Sequence, residues 1–290
     1  MRLTVVKVLI VDDSAFMRKA LHNLLSKDPD IEIVGTANDG LEAIEAIKKL
    51  DPDVVTLDIE MPKMDGLTAL KHIMREMPRP VLMVSSLTTE GAEVTLKAMD
   101  VGAMDFVAKP RSTVSLDIID MEQELRQKVK ALARRRPFMV LRKPIKPAAP
   151  GGSITAHSAA STLAAAPPAM AIPKDKRQMR DLVAIGVSTG GPPAVQKVLS
   201  ALPADFPAPI LIAQHMPAAF TGPFAQRLNG LCKISVKEAE DGETAKNGTA
   251  YVCPGGRHLL IKSRLSTRTI IVSDEPKSAL YKPSANELIG

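Results

Sequence analysis

Two sets of residues in this chain have the types and spacing to do chemistry. The first is a row of carboxylates: Asp12 and Asp13 close the apolar run Lys7-Val-Leu-Ile-Val, and Asp58 closes Asp53-Val-Val-Thr-Leu. Ser85 ends a third run, Pro80-Val-Leu-Met-Val, and Lys109 follows a fourth, Asp105-Phe-Val-Ala. Carboxylates gathered at one place repel one another, so the set calls for cations. Lys109 is one, and a hard, oxygen-seeking ion such as Mg²⁺ supplies the rest. With the charge balanced, a carboxylate can attack a phosphoryl group while lysine and metal neutralise its oxygens. The second set begins at Ser188 in Gly186-Val-Ser-Thr-Gly190. That pattern fits a strand-to-helix turn exposing a nucleophilic hydroxyl, and it fits a plain structural turn equally well. His215 follows the next apolar run, Pro209-Ile-Leu-Ile-Ala-Gln214, where it could serve Ser188 as general base or be purely structural.

Strands and helices must bring these residues together. Up to about residue 125, apolar runs alternate with helical stripes such as Met17, Leu21, Leu24 and Leu25, or Leu41, Ile44 and Ile47. The alternation predicts an α/β fold: a doubly wound, five-stranded parallel sheet with helices on both faces. Its functional crevice lies at the carboxyl ends of the strands, which gathers Asp12, Asp13, Asp58, Ser85 and Lys109. Later, Leu182–Val187 reads as a buried strand, Pro193–Leu202 as a helix opened by a proline pair, and Phe220–Leu231 as another helix. A glycine-punctuated, β-rich stretch runs from Ile234 to Ser273, so the second half reads as a Rossmann-like α/β unit. Within it, Tyr251-Val-Cys-Pro-Gly-Gly-Arg-His258 signals a loop. His258 is there either a second catalytic histidine or a loop and substrate-contact residue.

A chain of 290 residues has room for two ordinary domains. The boundaries fall at residues 5–124 for the first, 125–179 for a helical extension and a Pro/Ala/Ser-rich linker, and 180–290 for the second. No apolar run reaches membrane-span length, and the acidic pair at Asp12-Asp13 comes too early for a signal peptide. Cys232 and Cys253 lack disulfide or metal-ligand spacing, which fits a cytoplasmic protein with reduced thiols. Much of the net charge of +6 sits at residues 126–146 and 174–180, in a helix end and the linker. A solvated basic connector accounts for it without nucleic acid, and Arg134-Arg-Arg136 complement the dipole of a helix striped by Met121, Leu125, Val129 and Leu132. No Walker lysine or G-x-G-x-x-G fingerprint supports nucleotide binding at the glycine-rich turn. Nor does the order of residues fit an ordinary α/β-hydrolase, because no acid stands at a strand end between Ser188 and His215.

Val11-Asp-Asp-Ser14, Leu57-Asp-Ile-Glu-Met-Pro-Lys-Met-Asp-Gly66 and Val107-Ala-Lys-Pro110 resemble the response-regulator receiver domain. The resemblance implies Asp58 as phosphoacceptor, with Asp13 and Asp58 ligating Mg²⁺, Asp12 nearby and the Glu60 carbonyl completing the ligands. It implies Lys109 and Ser85 (or Ser86 beside it) as phosphoryl contacts, Phe106 as the switch residue and a histidine kinase as phosphodonor. Ala184-Ile-Gly-Val-Ser-Thr-Gly-Gly191, Gln214-His-Met-Pro217, Ile234-Ser-Val-Lys-Glu-Ala-Glu-Asp-Gly242 and Tyr281-Lys-Pro-Ser284 resemble the chemotaxis-specific protein-glutamate methylesterase/deamidase family.

That second resemblance implies a cytoplasmic hydrolase without a cofactor in its catalytic domain. Ser188 would be the nucleophile, His215 the base and the Thr189 N–H the first oxyanion donor. The substrate would be a methyl-esterified glutamate, or a glutamine, on a chemoreceptor helix. The receiver is expected to cover the catalytic rim until Asp58 is phosphorylated. Neither nucleic-acid binding nor membrane insertion is implied. The family's third triad acid, an aspartate in a Gly-Asn-Asp-Gly-type loop, is expected beyond Gly290; Asp241 and Asp274 do not match its motif. A fragment or truncated chain acting as a catalytically impaired, phospho-dependent binding module is therefore the alternative expectation.

Overall fold

Val8, Leu9, Ile10 and Val11 are all fully buried in the computed structural model, as a strand covered on both faces requires. The structure describes residues 5–86, 88–109, 116–134, 182–264, 267–277, 279 and 282–289. The linker, Arg135, Arg136, Pro110 and Tyr281 lie outside them. Strand β1 (Val6–Val11) is an interior strand of a five-stranded sheet with β2 (Ile31–Ala37), β3 (Val54–Asp58), β4 (Val81–Ser85) and β5 (Asp105–Ala108). The order is β2-β1-β3-β4-β5 and every pairing is parallel. Side chains alternate across the strands. Val8, Ile10, Leu82 and Val107 face α1 (Ala15–Leu25) and α5 (Leu116–Ala133), which supply Leu21, Leu25, Leu125 and Val129. Leu9, Val11, Leu57 and Met83 face α2 (Gly40–Leu50), α3 (Gly66–Glu76) and α4 (Thr89–Val101).

Capping side chains set where these helices begin. Ser14, Asp39, Asp65 and Thr88 each accept a backbone N–H of the first turn. Phe16, by contrast, is 61% exposed at the start of α1.

The second half builds a parallel sheet of four strands: β6 (Val183–Val187), β7 (Ile210–Gln214), β8 (Ser235–Glu238) and β9 (Thr249–Val252), in the order β6-β7-β9-β8. Helices α6 (Gly191–Ser200) and α7 (Ala218–Leu231) follow β6 and β7. An antiparallel pair, β10 (His258–Arg264) and β11 (Thr267–Ser273), and the short α8 (Ala285–Ile289) are its other described elements. The expectation of a buried strand at Leu182–Val187 needs correction. β6 pairs only with β7 among the described residues, and Ala184 and Gly186 are exposed. A run of small apolar residues looks the same at a sheet edge as at its centre.

The two sheets share one apolar core. Met99 and Phe106 from the first half join Val195, Phe220 and Leu228 from the second in a continuous cluster. The Phe106 and Phe220 rings stack with centroids 4.4 Å apart, a geometry that adds specificity to the burial. No helix among the described residues is long and apolar enough to cross a membrane.

Candidate functional site

At the carboxyl end of the first sheet, Asp12, Asp13 and Asp58 place carboxylate oxygens within 4.8 Å of one another. Asp58 and Asp12 are buried and Asp13 is exposed. Lys109 crosses the gap from the end of β5, with its Nζ donating to Asp58 Oδ2 at 2.7 Å and lying 3.0 Å from Asp12 Oδ2. Asp58 Oδ1 accepts the Ile59 N–H at 2.7 Å. Burial raises the Asp58 pKa above the ordinary carboxylate value despite the opposing lysine. Burial alone would lower Lys109, but Asp58 and Asp12 outweigh it and hold the ammonium charged.

One ammonium does not balance three carboxylates. Asp12 Oδ2, buried and without a well-formed hydrogen bond, is an oxygen suited to a further cation. The acidic cluster therefore fits a hard metal ion. The Asp58 main chain is held just as tightly: a Cβ on Gly66 would lie 1.8 Å from the Asp58 carbonyl oxygen. Ser85 is buried, and its Oγ donates to the Gly91 carbonyl at 3.3 Å, towards α4 and not to Asp58.

On the second sheet, β6 and β7 pair through Val187 and Gln214, so Ser188 and His215 leave neighbouring strands side by side. The His215 N–H donates to the Val187 carbonyl at 3.2 Å, joining the two strand ends. Ser188 is exposed, with Thr189 half-buried beside it. Both Ser188 and His215 line a cleft of about 320 Å³, opposite Pro283, Ser284 and Asn286. Burial lowers the His215 pKa below the ordinary imidazole value; Glu124 opposes this, Lys128 adds to it and Asp105 opposes it. An imidazole whose pKa is lowered and an exposed hydroxyl on the same cleft are groups that could carry out nucleophilic acyl transfer.

Three neighbours of this site were given no role of their own by the sequence. Buried Gln214 donates from Nε2 to the Ser188 carbonyl at 3.3 Å and to the His215 carbonyl at 3.1 Å, tying the two strand ends together. A Cβ on Gly191 would lie 1.9 Å from Gln214 Oε1, so only glycine fits there. The other two, Asp105 and Lys128, come from the first half. Asp105 Oδ2 accepts the Gly190 N–H at 2.8 Å, and Lys128 Nζ lies 3.2 Å from Asp105 Oδ1. Lys128 was legible at most as a cation inside the apolar stripe of α5.

The expected covering of the rim does not extend to Ser188 itself. The first half reaches the backbone beside Ser188 and the surroundings of His215, yet leaves Ser188 exposed. His258 is neither a catalytic nor a loop residue in this arrangement: it opens β10, fully buried, and its Nδ1 accepts the Ser284 N–H at 3.3 Å. Asp241 Oδ1 accepts the Val272 N–H, and Asp274 pairs with Arg257. Neither carboxylate lines the cleft.

Residues 8–119 match the family model of the response regulator receiver domain, and residues 183–290 match that of the CheB methylesterase. The protein-glutamate methylesterase/protein-glutamine glutaminase 1 of Oleidesulfovibrio alaskensis is 61% identical over 289 residues, covering 98% of this chain and 78% of that protein. The chain belongs to the protein-glutamate methylesterase/protein-glutamine glutaminase family. A second member, from Nitratidesulfovibrio vulgaris, is 62% identical over 288 residues, with the same coverage. Among solved structures, the response regulator domain of Thermotoga maritima CheB is 48% identical, covering 46% of this chain and 99% of that one at a TM-score of 0.43. The methylesterase catalytic domain of the same protein is 38% identical, covering 38% of this chain and 58% of that one at a TM-score of 0.36. In methylesterase terms the first sheet is the receiver and the second carries the esterase site.

Proposed function

We propose that this methylesterase-family chain hydrolyses glutamate methyl esters, and deamidates glutamines, on chemoreceptor helices in the cytoplasm, and that phosphorylation of its receiver activates it. The observation that carries this reading is the placing of exposed Ser188 and half-buried His215 at adjacent strand ends over one cleft. Ser188 Oγ attacks the ester carbonyl while His215 takes its proton. The Thr189 N–H, next after the nucleophile, donates to the oxyanion. His215 returns the proton to the departing methoxide, giving methanol. Water then attacks the acyl-serine with His215 again as base, releasing glutamate and restoring the hydroxyl. A glutamine enters the same cycle and loses ammonia. The esterase domain needs no cofactor for these steps. Likeness to named hydrolases over 98% of the chain supports this reading over that of an impaired binding module.

In the receiver, taken as residues 5–124 and joined by residues 125–179 to the esterase domain at 180–290, Asp58 accepts a phosphoryl group from a histidine kinase. Asp12, Asp13 and Asp58 would hold Mg²⁺, which supplies positive charge against the phosphoryl oxygens. Lys109 stabilises the phosphorylated carboxylate, Ser85 turns from Gly91 towards it, and Phe106 responds at the other end of the strand. Neither nucleic acid nor membrane insertion enters the scheme. Methanol release from methylated receptor, with and without a phosphodonor, tests it. The wild-type chain is expected to respond to the donor, Asp58→Asn to lose the response and Ser188→Ala to lose hydrolysis. Unchanged hydrolysis by Ser188→Ala would refute the catalytic assignment.

A further inference from the structure

Helix α6 begins directly after the nucleophile turn, and its N-cap, Gly190, has no side chain to satisfy the exposed N–H groups of the first turn. A carboxylate from the other domain stands there instead. Asp105 Oδ2 accepts the Gly190 N–H in a buried bond, the part that a capping-box glutamate plays from within its own helix. The charge of Asp105 is compensated inside the receiver. Lys128, equally buried, lies against Asp105 Oδ1, donates to the Phe106 carbonyl and pairs with Glu124 at 2.8 Å. Phe106, adjacent in sequence, stacks on Phe220 of α7. Asp105 and Phe106 open the four-residue strand β5, and Lys109, bound to Asp58, follows its other end. One short strand thus has the phosphoacceptor's lysine at one end and the cap of the catalytic helix at the other.

We infer that Asp105 is an interdomain cap that latches the nucleophile turn to the unphosphorylated receiver, and that strand β5 releases it when Asp58 is phosphorylated. The inference rests on the proposed esterase reading and names the contact through which that site is regulated. Ser188 stays exposed while the cap is in place, so control acts on the backbone that carries the serine and on the surroundings of His215. A receiver that acted only by excluding the substrate would not need a buried carboxylate at this amide.

The test uses the full chain and two variants, Asp105→Asn and the double variant Asp105→Asn/Lys128→Met, which removes both charges of the buried pair and leaves only half-buried Glu124 without its partner. Loss of a charge-assisted hydrogen bond is expected to raise the unphosphorylated methanol-release rate roughly tenfold, towards the phosphorylated wild-type rate. Rates that stay at the unphosphorylated wild-type level, or fall equally with and without phosphodonor, overturn the latch while leaving the esterase reading intact. Hydrogen exchange at the Gly190 amide of the wild-type chain decides the matter without activity. Protection is expected to fall on adding beryllium fluoride with Mg²⁺, and unchanged protection overturns the latch. Absence of hydrolysis in the wild type under all conditions would instead strike the esterase reading, and the Gly190 exchange would still judge the contact.

Discussion

A general base works only while unprotonated, and the burial that lowers the His215 pKa favours that state for the residue proposed in this role. Activity is therefore present above that pKa and lost as the pH falls through it. The acid limb of kcat/KM for the phosphodonor-activated chain is expected below about pH 6.5, the ordinary imidazole value. Methanol release measured from pH 4.5 to 8 checks this, and a limb centred above 6.5 would remove His215 from the role. Ser188→Ala should lower kcat by roughly a thousandfold or more while phosphorylation of Asp58 proceeds at the wild-type rate. Asp12, Asp58, Lys109, Ser188 and His215 were legible in the sequence because each stands at or next to the end of an apolar run. Asp105 and Gln214 were not legible as site residues. The partner of Asp105 is Gly190, 85 positions away, and no local pattern encodes that meeting.

At the scale of elements, each site depends on a place where only glycine fits. Gly66 starts α3 against the Asp58 carbonyl, and Gly191 starts α6 against the Gln214 amide. Overpacking a filled site costs about 1–3 kcal/mol, and the two substitutions should damage different functions. Gly66→Ala is expected to destabilise the receiver by roughly that amount and to slow Asp58 phosphorylation, read by thermal unfolding and phosphate incorporation. Gly191→Ala should displace Gln214 and cut kcat about tenfold or more, with phosphate incorporation unchanged. Equal damage to both readouts by either variant would mean that the effect is global. Strand and helix alternation was plain from hydrophobic period, as was the parallel sheet of the receiver. The edge position of β6 was not, because a short apolar run does not report how many neighbours its strand will have.

For the whole molecule, the balance of forces at the domain contact predicts its response to salt. The Phe106–Phe220 stack and the Asp105–Lys128 pair are buried, whereas Asp100, which meets Arg227 and Gln196, is exposed. Raising salt from 0.1 to 1 M shortens the screening length from about 10 Å to about 3 Å, which weakens exposed pairs far more than buried ones. The unphosphorylated methanol-release rate should accordingly change by less than about threefold over that range. A tenfold rise would show that rim charges hold the domains.

The borrowed cap on α6 also bears on how the chain is made. Synthesis runs from the N-terminus, and domains generally fold as units in that order. By the time Gly190 leaves the ribosome, the strand carrying Asp105 has already been translated. The newborn catalytic turn thus meets a receiver able to cap it, so the enzyme can be assembled in its restrained form before its active site has ever stood alone.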